Sequence, residues 1–315
     1  MPNLLATPRA WAKKAVLLKE EAVYGTDPLP TGAANYIEAR NVSLTSFDAE
    51  AVDRNIMMPH FGNGGKIISG IWSKLSFEIA LAPSGVAGTA PKWGPLMLGL
   101  GFAETLSAGV SVTYSLVSAS IKGLTAYLNI DGVLYKFIGC RGEAKVAMST
   151  KGLPILQVEL TSQYTAPSTA AAPALTTTGW MIEEAINSVN TGKLTVNGVD
   201  LAWSQLDWAC GNVVARIDLP GPQREVAITD RKPTASATVL APALGVFDPY
   251  ALAAANTPIL ISNTHGLVVG KKVKTDLKAT ISGVSEDQIE GMVAYKLSFT
   301  PTPVTGNDEI TLSLI

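Results

Sequence analysis

Leu124-Thr125-Ala126-Tyr127-Leu128-Asn129-Ile130-Asp131-Gly132-Val133-Leu134-Tyr135-Lys136-Phe137 is the stretch that decides the fold class. Leu124, Ala126, Leu128 and Ile130 alternate with Thr125, Tyr127 and Asn129, the two-residue period of a strand with one apolar face. Asp131-Gly132 then separates this run from residues 133–137. A two-residue hairpin turn needs positive φ at both central positions, which Asp tolerates and Gly adopts freely, so the stretch predicts an antiparallel hairpin. The same pattern recurs outward from it. Residues 145–149 and 155–161 flank Thr150-Lys151-Gly152, and residues 194–196 and 199–201 flank Asn197-Gly198. Residues 274–281 and 292–299 form a further expected pair across a polar loop that holds Glu286, Asp287 and Glu290.

Helical signals are few. Pro95 opens a short apolar run, Leu96-Met97-Leu98-Gly99-Leu100, and proline suits the first position of a helix. Asp248-Pro249 before Tyr250-Ala251-Leu252-Ala253-Ala254-Ala255 combines a good N-cap with a good first residue. Residues 182–189 suggest one more brief helical turn. The chain therefore reads as mainly β, in two halves with one main short helix each.

The length of 315 residues suits two domains. Residues 1–35, punctuated by Pro2, Pro8, Asp27-Pro28, Pro30 and Gly32, read as an arm with a first strand at 15–19 that orders on assembly. Residues 36–165 form a first β domain, 166–179 a small, polar, Pro-bearing linker, and 180–315 a second β domain. Four landmarks recur in order in both halves: Asn41-Val42 with Asn212-Val213, Asp53-Arg54 with Asp230-Arg231, Leu81-Ala82-Pro83 with Leu240-Ala241-Pro242, and the Pro95 helix with the Pro249 helix. They predict tandem related domains.

Charged residues make up 16% of the chain, against about 25% in a typical soluble domain, which points to a surface covered by partners or by further copies. The longest apolar stretch, 93–103, is too short for a membrane-spanning helix, so no membrane insertion is expected. Lys13, Lys14, Lys19, Glu20 and Glu21 interrupt any signal-peptide core. Cys140 and Cys210 stand alone in no metal or redox spacing, which fits a reducing compartment. With a net charge of −2 the chain has no basic excess to hold a phosphate backbone.

No catalytic constellation emerges. His60 and His265 each neighbour a glycine in an expected exposed loop, and neither a Gly-x-Ser-x-Gly elbow nor a His-x-x-x-His pair is present. Gly62-Asn63-Gly64-Gly65-Lys66 falls short of a phosphate-binding loop because Ile67 follows the lysine and His60 occupies the leading glycine position. It reads as a flexible tip that a neighbour orders. Glu286, Asp287 and Glu290 lack the central glycine and alternate ligands of a calcium loop. They read as a solvated hairpin tip, or as the lining of a channel whose negative charge keeps DNA from sticking. Trp72, Trp93, Trp180, Trp203 and Trp208 read as core or interface anchors. No cofactor is implied.

The segments Val23-Tyr24-Gly25-Thr26-Asp27-Pro28, Arg40-Asn41-Val42 and above all Gly88-Thr89-Ala90-Pro91-Lys92-Trp93-Gly94-Pro95-Leu96 resemble the tail tube (major tail) proteins of long-tailed bacteriophages. Gly139-Cys140-Arg141-Gly142, Ile228-Thr229-Asp230-Arg231 and Gly306-Asn307-Asp308-Glu309 agree. The resemblance implies tail-tube-type β-sandwich or barrel domains with a short flanking helix and a non-enzymatic, self-assembling subunit. Its rings would stack into a channel for double-stranded DNA, passed without specific binding. Hexameric rings, or trimeric pseudo-hexameric rings if the halves are duplicates, follow from the same resemblance, as do tape-measure, tail-terminator and distal tail proteins as partners. The ring-stacking loop would run over 46–71, centred on His60, Phe61, Gly62, Asn63, Gly64, Gly65 and Lys66. Assembly in the host cytoplasm is expected. The alternative is a non-polymerising tail-tip or baseplate β-sandwich that binds a receptor.

Overall fold

The computed structural model describes residues 8–221 and 223–315. The first seven residues of the expected arm lie outside the described residues. The first half holds β1 (Lys14–Glu20), α1 (Gly32–Asn35), β2 (Tyr36–Ile37), β3 (Arg40–Asp53), β4 (Lys66–Ala80), α2 (Gly94–Gly99), β5 (Phe102–Ser107), β6 (Ser111–Leu116), β7 (Leu124–Ile130), β8 (Val133–Ser149), β9 (Ile155–Gln163) and β10 (Ser168–Thr169). The second holds β11 (Leu194–Val196), β12 (Val199–Leu201), β13 (Trp203–Ala209), β14 (Asn212–Leu219), β15 (Gln223–Arg231), β16 (Thr234–Leu240), α3 (Pro249–Ala255), β17 (Ile259–His265), β18 (Val273–Ile289), β19 (Met292–Pro301) and β20 (Ile310–Leu314). The mainly β reading holds.

The two halves share one pairing order. In the first it runs β1–β7–β8–β9–β4–β3, every pair antiparallel. In the second it runs β11–β17–β18–β19–β16–β13, again all antiparallel. β8 and β18 are both 17 residues long and β7 and β17 both 7, so the equivalence extends to strand length. The helix falls between corresponding strands, α2 after β4 and α3 after β16. The β5–β6 hairpin is an insertion of the first half, and it pairs with β20 of the second. Two of the four landmarks mark equivalent places: the Leu-Ala-Pro turns, one residue out of step, and the proline-led helices. The other two do not. Asn212 begins a hairpin, whereas the strand equivalent to β3 is β13, which ends before it.

The turns follow their residues. Asp131 and Gly132 have φ of 41° and 90°, and Asn197 and Gly198 have 48° and 81°, the left-handed pairs that tight hairpins need. Asp248 caps α3, its Oδ1 accepting from the N–H of Tyr250 and of Ala251 at 3.0 Å, and Asn256 closes the helix in the left-handed region. One expected helix is absent. Residues 182–189 are irregular because their backbone bonds elsewhere: the N–H of Ile186 donates to Gly152 O and its carbonyl accepts from Lys151, both at 2.8 Å. Asn187 Oδ1 accepts from Val189 and Asn190 and so turns the chain before a helix can start.

The expected arm and linker are tied to the body. β1 forms seven partner pairs with β7 and buries Val16, Leu17 and Leu18. The strands of the first repeat therefore span 14–163, beginning earlier than the expected boundary at 36. Linker residues 168–169 pair with the start of β8, and Asn129 donates to the carbonyls of Ala170 and Ala171. A side chain at Gly32 would meet the Ala174 carbonyl at 2.2 Å, so the linker lies directly on α1. This covering explains why every residue of β7 is buried, where the alternation predicted one wet face. A single apolar core runs through both halves, with Trp72, Trp93 and Trp208 fully buried.

Candidate assembly surface

The halves are joined edge to edge. Residues 145–149 of β8 pair with residues 205–209 of β13, Trp208 opposite Val146 and Leu206 opposite Met148, all four buried. The result is one sheet in the order β3–β4–β9–β8–β13–β16–β19–β18. It consists of two four-strand blocks. Its end strands, β3 and the distal part of β18 (282–289), each pair on one side only. Open edges of this length expose unpaired backbone groups and invite pairing.

One face of this sheet packs the core. The other is polar: Thr45, Lys74, Glu159, Lys145, Asp207, Ser236, Ser298 and Ser285, one from each strand, share it and are wholly or partly exposed. The acidic cluster divides on this geometry. Residues 282–289, expected in a loop, are strand paired with β19, so Glu286 and Asp287 point to opposite faces. Asp287 shares the polar face with Ser285, and Glu286 lies opposite Tyr295. Glu290 forms the tight turn with Gly291 and pairs with Lys151 at 3.5 Å.

The stretch expected as a loop over 46–71 is a projecting hairpin. β3 and β4 pair out to Asp53 and Lys66, leaving a tip of residues 54–65. His60, Phe61, Gly62, Asn63, Gly64 and Gly65 lie in that tip, and Lys66 opens β4, 3.4 Å from Asp53. Asn63 Oδ1 accepts from the N–H of Gly65, whose φ of 83° suits glycine. The hairpin is unusually apolar for an exposed element. Phe47, Val52, Ile56, Met57, Phe61, Ile67 and Ile68 are all at least 47% exposed.

Its counterpart in the second half is the β14–β15 hairpin, which occupies the same place between β13 and β16 and lies across the first block. Arg141 holds it with an ion pair to Glu225 at 2.5 Å and a bond to Val226 O at 2.8 Å. Arg216 pairs with Asp48, and the Arg224 guanidinium sits 4.9 Å from the Trp72 ring. At its base Glu143 accepts from the N–H groups of Gly211 and Asn212 at 2.7 and 2.5 Å, while Asn212 donates to Leu100 O and Gly142 O. Burial pushes the Glu143 carboxyl up, against the pull of those backbone donors. Sequence reading missed this clamp. Its signal was Arg216 and Arg224 on a short hairpin, with partners, Asp48 and Ile71, more than 150 residues away.

The two histidines are unlike each other. His60 is exposed in the tip, but His265 is buried at the end of β17, its Nδ1 2.7 Å from Thr191 Oγ1, correcting the expectation of two exposed loop histidines. Cys140 and Cys210 are free and buried. A groove of about 790 Å³ runs between residues 228–234 and 300–309. Its charged groups are spent on each other, Arg231 Nη2 lying 2.8 Å from buried Glu309. Among the described residues no three His, Cys, Asp or Glu side chains converge as a metal site, and no helix is long and apolar enough to cross a membrane.

No curated protein matches the chain. The family profile described as phage tail tube protein matches residues 11–314, both repeats and the joint between them. The chain therefore belongs to the phage tail tube protein family, a structural component of the virion tail.

Proposed function

We propose that this chain is a non-enzymatic subunit that assembles into stacked rings enclosing a channel for DNA. The observation that carries this reading is the eight-strand sheet with two open edges, which are the counterparts of the two strands already joined inside the chain. β3 corresponds to β13 and β18 to β8. Pairing β3 of one copy with β18 of the next repeats the β13–β8 joint, and a head-to-tail interface of this kind closes into a ring. Three chains then supply six equivalent blocks. The part of the polar face that the hairpins leave open, rich in Ser and Thr and carrying acids beside its lysines, suits a lumen that must not retain a polyanion. Tape-measure, terminator and distal tail proteins are the partners this role requires, and the host cytoplasm is the place of assembly.

Electron microscopy of the purified protein across concentration, beside its mass in solution, tests the reading. Rings or hollow tubes are expected, with a ring mass near three times 33.0 kDa, about 99 kDa. A chain that stays monomeric with tail-tip partners present, and instead binds a receptor, would establish the non-polymerising tail-tip module.

A further inference from the structure

The two blocks carry equivalent recesses, one walled by a hairpin and one without that wall. On the first block Lys74, Glu143, Glu159 and Thr161 line a recess of about 390 Å³ whose other wall is Asn212, Val214 and Arg216 of the β14–β15 hairpin. Strand equivalence carries those four positions to Thr234, Gly283, Ser298 and Thr300. Three of them, Thr234, Ser298 and Thr300, line a recess of about 390 Å³ on the second block, beside Ser282. Among the described residues no hairpin walls it. The element equivalent to the one that walls the first recess is the β3–β4 hairpin, which projects from the far end of the same sheet.

The two recesses differ at the equivalent positions. The first is charged, Lys74 standing 3.0 Å from Glu159, and the hairpin that walls it carries Arg216, Arg224 and Glu225. The second presents the hydroxyls of Thr234, Ser298 and Thr300 there, with Lys145 and Asp207 on its β8–β13 side, and the exposed end of the β3–β4 hairpin presents Val52, Ile67 and Ile68.

From this correspondence we infer that the β3–β4 hairpin of one copy lies across the Thr234–Ser298–Thr300 recess of its neighbour in the same ring, as β14–β15 lies across the first block. The inference rests on the ring reading and adds to it. The hairpin's strands are a lateral clamp between ring-mates, leaving only its tip for the ring above. It also assigns a function to the exposed apolar residues of the hairpin, which otherwise have no partner.

The test is a photo-crosslinking residue placed at Ile68 in full-length protein, assembled from a mixture of isotopically heavy and light chains. Heavy-to-light crosslinks within isolated single rings are expected, mapping to residues 228–236 and 298–301. A second variant, Ser298→Trp, fills the recess from an exposed position. It should leave the fold's circular dichroism unchanged and reduce those crosslinks at least tenfold. Rings that form with Ile68 crosslinked to other segments, or crosslinked only between stacked rings, overturn this inference and leave the ring reading standing. Failure of the unmodified chain to form any ring overturns both.

Discussion

His265 shows how a single side chain can differ from its sequence context. Gly266 follows it, which reads as a loop, yet the imidazole is the last inward-facing residue of β17 and bonds Thr191. Burial pushes its pKa below the usual 6.5, only partly opposed by the backbone and charge of Glu184. The unfolded chain therefore binds the proton more readily than the folded one. The stability that neutral His265 contributes is complete above pH about 6.5 and is lost as pH falls through the depressed folded value. Chemical denaturation from pH 8 to 5 should show stability dropping below that point, at no more than about 1.4 kcal/mol per pH unit for this one proton. His265→Gln should flatten that limb. Asp248 belongs to the same scale. Asp248→Ala removes the acceptor of two backbone donors at the start of α3 and should cost about 1 kcal/mol, read as a lower denaturation midpoint at unchanged slope.

At the scale of elements, the β3–β4 hairpin carries the sharpest expectation. Deleting 62–66 shortens the tip and removes only the outermost strand pair, Asp53 with Lys66, leaving the core untouched. Folded subunits with normal near-ultraviolet circular dichroism are expected, and single rings that do not stack. Normal tubes from that deletion would remove the tip from the stacking contact. Elements like this also mark what the sequence shows and what it hides. Turns such as Asp131-Gly132 and Asn197-Gly198 and caps such as Asp248-Pro249 were legible because a local backbone conformation demands those residues. The distal strands of β3 and β18 were not, because their partners supply the pairing while their own residues look like loop. Glu286 and Asp287 sit in a hydrophilic run whose strand character comes from β19. The helix expected at 182–189 failed for the converse reason, a tertiary hydrogen bond overriding local propensity.

On the whole-molecule scale the shared pairing order of the two halves was visible only in part. The Leu-Ala-Pro turns and the proline-led helices mark equivalent points, but the Asn-Val and Asp-Arg matches fell on strands with no common position. The equivalence lies in the pairing order, which residues far apart in the chain determine together. It predicts a definite stoichiometry: native mass measurement on isolated rings should give three chains, with six blocks in projection. Six chains per ring would mean that the β13–β8 joint has no counterpart between copies.

That joint has a kinetic consequence. In a ring of six separate blocks every contact must be won from dilute solution, and the rate of closure would fall with a high power of concentration. In the proposed ring three of the six contacts are made while each chain folds, at an effective concentration that dilution cannot change. Ring formation would then be a meeting of three bodies, and the first ring should appear at subunit levels where an unfused version of the same surfaces would remain apart.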